Sequence, residues 1–175
     1  MKKRLRLGLA ICAAVWAGST GCGGKFQTVG VSPFTGPHPA FSQASIHITV
    51  AETNSTDLAT EVALLREKMR KQLADRFESL SATDSQGLQI GVHITQLRRV
   101  SQMKRIFLGV FAGRAKIVAE VSFTDGASGQ LLGSYSVTGT SHGAYGSGLS
   151  ETEVALSKFA EGVGNLVSEH LSGPS

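Results

Sequence analysis

Arg105 to Leu132, RIFLGVFAGRAKIVAEVSFTDGASGQLL, decides how the chain is read. Ile117, Ala119, Val121 and Phe123 alternate with Val118, Glu120, Ser122 and Thr124, the period of a strand with one apolar face. Asp125-Gly126-Ala127-Ser128-Gly129 then reads as a hairpin turn, with glycine where a positive φ is needed. Leu131, Tyr135 and Val137 carry the chain back as a second strand.

Working upstream, Leu88, Ile90, Val92 and Ile94 alternate in the same way and run on into Gln96-Leu97-Arg98-Arg99-Val100. Ile46, Ile48 and Val50, interleaved with His47 and Thr49, give one more strand. Between these two lies a helical stripe of Leu58, Val62, Leu65, Met69, Leu73, Phe77 and Leu80, which predicts a helix from about Asp57 to Leu80 capped by Asp57 or Thr56. Downstream, Ser150 and Glu153 form a capping box ahead of Leu156, Phe159, Ala160, Val163, Val167 and Leu171. The order β-α-β-β-β-α predicts an α+β, two-layer fold: a four-stranded, mostly antiparallel sheet with two helices on one face. The opposite face is expected to be polar and open.

The N-terminus points to export. MKKRLR is a basic n-region, and LGLAICAAVWAG is apolar but too short to span a bilayer as a helix. Ser19-Thr20-Gly21 precede Cys22, an arrangement that resembles the lipobox of bacterial lipoproteins, although Ser19 stands where that pattern has Leu or another apolar residue. The resemblance implies cleavage before Cys22, a diacylglycerol on its thiol and an acylated amine, with palmitate an expected chain. Cys12 would leave with the signal, so Cys22 would have no disulfide partner. Gly23, rather than Asp, after the cysteine implies the outer membrane of a Gram-negative cell, facing the periplasm. Residues 1–21 are therefore read as signal peptide. Residues 22–43, with three Pro and four Gly, are read as a flexible tether, and 44–172 as a single domain. Phe26, Phe34 and Phe41 are expected to dock weakly on the domain or the lipid.

Leu108-Gly109-Val110-Phe111-Ala112-Gly113-Arg114-Ala115, the alternating run after it, Asp125, and Ser128-Gly129-Gln130-Leu131-Leu132 together resemble a family of bacterial lipoproteins catalogued as domain of unknown function 4410. Phe111 stands where that family more often has glycine. The resemblance implies an envelope lipoprotein and supplies no activity.

The chemistry read from the residues is sparse. Gly109 to Arg114 lacks the lysine and hydroxyl residue of a P-loop, and Gly146-Ser147-Gly148 lacks the spacing of a nucleophile elbow. The five histidines have no paired-ligand spacing, so no metal and no cofactor are expected. Removal of Lys2, Lys3, Arg4 and Arg6 with the signal leaves 13 basic residues against 13 acidic ones, which gives no argument for nucleic acid.

The feature with most weight is Arg98, Arg99, Lys104, Arg105, Arg114 and Lys116 around the apolar run Ile106–Phe111. Soluble domains seldom expose large apolar patches, so that run is expected to fold over the sheet edge. Left exposed, it would sit on anionic headgroups or in a partner's groove. The chain is accordingly read as a non-enzymatic binding or assembly module, held to membrane lipid through Cys22 and contacting another envelope protein or itself. The alternative is a structural subunit that uses residues 98–116 for self-association or membrane contact. An unfamiliar enzyme site around His47, His93 and Glu120 is a third reading.

Overall fold

The computed structural model describes residues 15–17, 24–34, 41–51, 58–81, 86–99, 113–141 and 150–171. Among the described residues there are seven strands: β1 (Val15–Ala17), β2 (Gly24–Ser32), β3 (Gln43–Val50), β4 (Ser79–Ser81), β5 (Leu88–Arg98), β6 (Lys116–Asp125) and β7 (Leu131–Ser141). Two helices accompany them, α1 (Ala59–Leu73) and α2 (Glu151–His170). The strands form one mixed sheet in the order β1-β2-β7-β6-β5-β3-β4.

The four expected strands are β3, β5, β6 and β7. The last three make the antiparallel meander, and β3 joins β5 in parallel through the α1 crossover. Ile46, Leu88, Ile90, Val92, Ile94, Ile117, Val121, Phe123 and Val137 point into one core with Leu65, Met69 and Leu73 of α1. From α2 the same core receives Leu156, Phe159, Ala160, Val163 and Val167.

Three expectations are corrected. The sheet is wider than four strands, because β2, β1 and β4 extend both of its sides. The flexible tether over 22–43 gives way to structure from Gly24, so the domain starts well before residue 44. Strand β2 pairs with β7 from Gly24↔Ser141 to Ser32↔Ser134, burying Phe26 and Thr28 beneath α2. The third correction concerns α1, which ends at Leu73 rather than Leu80 and has Leu58 at its N-cap without a side-chain cap. Beyond a turn at Ala74–Arg76, the Glu78 N–H donates to the Ser42 carbonyl at 2.8 Å, and β4 pairs in parallel with the start of β3. Phe77 and Leu80 prolong the helical spacing of apolar residues, but they meet the core from this short edge strand and the turn before it.

Phe34 fastens the far end of the β2 segment. Its ring lies 5.2 Å from Phe123, 5.6 Å from Tyr135 and 4.8 Å from His170, against the bare backbone of Gly133. The Phe34 N–H donates to the Tyr135 hydroxyl at 3.1 Å. Burial pushes that phenol above its ordinary pKa, partly offset by this N–H.

The capping box of α2 is formed in full. The Glu153 N–H donates to Ser150 Oγ at 3.1 Å, and the Ser150 N–H donates to Glu153 Oε2 at 2.7 Å. The Ser150 bonds hold the Glu153 carboxyl below its ordinary pKa. Ser150→Ala is expected to cost about 1 kcal/mol, read as a lower urea midpoint with an unchanged slope. An unchanged midpoint would mean the cap contributes nothing.

The hairpin between β6 and β7 is built by Asp125. Its carboxylate accepts from the Ala127 N–H at 3.0 Å and the Ser128 hydroxyl at 2.6 Å, while Gly129 takes φ +71°. The Ser128 hydroxyl, then the Ala127 N–H, hold Asp125 below the usual carboxylate range. A lowered carboxylate stabilises the turn above its unfolded pKa of about 4, and that contribution disappears as pH falls through the folded value.

Candidate functional site

The sheet brings a set of basic residues to one end. Strand β5 finishes there and β6 starts there, with Arg98 opposite Lys116. Lys116 is opposite Thr140 of β7, and Thr140 is opposite Lys25 of β2. Directly paired residues in a sheet share a face. Gly24, Phe26 and Ile117 are buried while Lys25 and Arg98 are exposed, so this row lies on the face away from the helices.

A β-bulge puts Arg98 in that row. Strict alternation from Leu88, Ile90, Val92 and Ile94 would carry Gln96 and Arg98 to the core face. The register shifts between Ile94 and Gln96, which leaves Thr95 as the extra residue. Thr95 and Gln96 are both exposed, Leu97 packs against the core, and Arg98 emerges on the open face beside Lys116. One inserted residue reverses the facing of everything after it.

Gly113 and Ser141 tie this end together. The Ser141 N–H donates to the Ala115 carbonyl at 3.0 Å, and the Ala115 N–H donates to buried Ser141 Oγ at 2.9 Å. Gly113 has φ +85°, and a Cβ there would lie 2.7 Å from a guanidinium nitrogen of Arg98. The arginine tip can swing aside, so the backbone conformation dominates the cost. Gly113→Ala is expected to lose about 1–2 kcal/mol in urea unfolding, and most of that loss should persist in an Arg98→Ala background. Full relief by Arg98→Ala would assign the cost to the side-chain contact instead.

The remaining sequence candidates divide. Arg99 turns toward the helices and makes a two-point ion pair with Glu61 of α1, Nε to Oε1 at 2.7 Å and Nη2 to Oε2 at 2.8 Å. Arg114 is exposed. Cys22, Lys104, Arg105 and the run Ile106–Phe111 lie outside the described residues. Lys25 was missed because it was assigned to the tether.

His93 and Glu120 are cross-strand partners on the open face, in one row with Thr49 and Ser136. Thr49 Oγ1 and His93 Nδ1 are 3.0 Å apart. His47 faces Gly91, two residues back along the same strands. Strands β3 and β5 are therefore neighbours, and the two histidines share a face. Among the described residues no group of three His, Cys, Asp or Glu side chains is arranged to hold a metal ion. Among the same residues no helix is long and apolar enough to cross a membrane.

A PelC dodecamer from Paraburkholderia phytofirmans superposes with a TM-score of 0.51 at 10% identity, over 86% of this chain and 99% of that one. A point variant of that dodecamer gives 0.50 at 13% identity, over 82% and 96%. A lipoprotein from Neisseria meningitidis gives 0.42 at 13% identity, over 75% and 99%. At such identities the likeness is one of fold. No curated protein matches the sequence. The profile of the family described as "Domain of unknown function (DUF4410)" matches residues 37–144, from ahead of β3 to just past β7. The chain belongs to the DUF4410 family.

Proposed function

We propose that this protein is a non-enzymatic lipoprotein of the bacterial envelope, anchored through acylated Cys22, whose domain assembles with copies of itself at the membrane. The observation that carries the reading is the fold shared with a PelC dodecamer over nearly all of that chain. The lipobox-like sequence before Cys22 and the membership of DUF4410 support the same reading. The outer membrane, facing the periplasm, is the proposed location. The polar open face of the sheet supports a second reading, an adaptor for a different envelope protein.

Cross-linking in intact cells, followed by isolation and weighing of the membrane-fraction products, tests assembly. A ladder of self-multiples is expected. One discrete adduct with another protein would replace self-assembly by the adaptor reading, and a lone acylated monomer would count against both. Cys22→Ser is expected to abolish the lipid mass increment and block cleavage before residue 22.

A further inference from the structure

We propose that the end of the sheet carrying Lys25, Arg98, Arg114 and Lys116 rests on anionic phospholipid headgroups, so that the domain stands on the membrane in a fixed orientation. The inference relies on lipidation of Cys22, as proposed above. Two structural features carry it beyond that reading.

The first is the length of the anchor. Sequence composition allowed about 20 flexible residues between lipid and domain, with a reach of roughly 25 Å. Strand β2 instead begins at Gly24, so only Gly23 separates a lipidated Cys22 from the sheet. Gly24 pairs with Ser141 at the end where Arg98 and Lys116 meet, so the acyl chains would leave from beside the basic row.

The second is a charge arrangement that the fold leaves unbalanced. Arg98 and Lys116 are directly opposite, a pairing of like charges that disfavours the sheet. The adjacent row on this face is Gln96, Val118, Thr138 and Gln27, with no carboxylate. The nearest acid on β6 is Glu120, four residues or about 13 Å along the strand, beyond the screening length of about 8 Å at physiological salt. Among the described residues, the acidic groups at this end belong to the helix layer: Glu61 is bound to Arg99, Glu153 caps α2 and Glu151 is buried. In sequence, the β3–α1 connection also carries Glu52 and Asp57, whereas 100–112 and 142–149 hold no carboxylate. Among the described residues the charge is thus divided between layers, with cations on the sheet side. Phosphate groups would supply the anions that the protein lacks there.

The test uses the purified acylated protein in two sets of vesicles, phosphatidylethanolamine with phosphatidylcholine, and the same with phosphatidylglycerol added. A water-soluble amine reagent labels exposed lysines, read by peptide mass spectrometry. Lys71, in the last turn of α1 toward the opposite end, is the internal reference. Labelling of Lys25 and Lys116 should fall by roughly threefold or more when phosphatidylglycerol is present, with Lys71 unchanged. Salt at about 0.5 M should restore it. Equal labelling in both vesicles, with the lipid present on Cys22 by intact mass, overturns the orientation and leaves the anchor standing. Protection that ignores both lipid charge and salt also overturns it, in favour of a protein contact. Absence of lipid on Cys22 removes the anchor and this inference together.

Discussion

Phe159→Ala is expected to cost about 3–5 kcal/mol, a large part of the roughly 5–15 kcal/mol that holds a domain together. Phe159 is fully buried in the middle of α2, where the helix lies across the sheet. The aromatic ring joins the helical stripe to the inner face of the strands. Its removal forfeits the transfer free energy of the ring and opens a cavity that close-packed neighbours fill only in part. Urea unfolding followed by circular dichroism should show a much lower midpoint, or a chain unfolded before urea is added. A loss below about 1 kcal/mol would mean that α2 does not pack on the sheet as described.

The opposite error, too much material, is expected at Gly139. This residue sits in β7 between Phe26 of β2 and Ile117 of β6. A Cβ here would come within 2.3 Å of the Ala155 carbonyl oxygen and 2.7 Å of the Phe159 nitrogen. Both obstructing atoms are helix backbone, so no rotamer change relieves them. Gly139→Ala should force α2 away from the sheet at a cost of about 1–3 kcal/mol or more. Because the clash is with backbone, adding Phe159→Ala should give no rescue. A cost of Gly139→Ala that largely disappears in the Phe159→Ala background would show that the ring, rather than the helix axis, limits the approach.

The parts of this fold that were legible in the sequence are those where one physical rule acts alone. The meander is announced by the alternation of Leu88 to Ile94 in β5 and of Ile117 to Phe123 in β6, and α2 by its capping box and uninterrupted stripe. The hairpin is legible because Asp125, Ser128 and Gly129 have few other uses in that spacing. Strand β2 was illegible for identifiable reasons. Thr28 faces inward and Val31 outward, the latter 64% exposed, so polarity and facing disagree along the strand. Its partner lies more than a hundred residues away, and the prolines after it suggest a linker. The end of α1 was misplaced because Phe77 and Leu80 keep helical spacing while serving an edge strand. At the candidate site, the sequence marked Arg98 and Arg114, but it gave no warning of the bulge at Thr95 that places Arg98 beside Lys116. Nor did it separate Arg99, already paired with Glu61, from its neighbour.

The pairing of β2 with β7 also bears on the order in which the chain can fold. Thr140 Oγ1 donates to the Lys25 carbonyl across a separation of 115 residues. A chain growing from its N-terminus makes β2 early but β7 last of the strands, so β2 must wait for most of synthesis before its ladder can close. Such long closures slow folding more than they weaken the finished state. Until β7 arrives, that edge of β2 pairs only with water. The strand nearest the start of the domain is then among the last to be secured, and a chain interrupted before Leu131 cannot secure it at all.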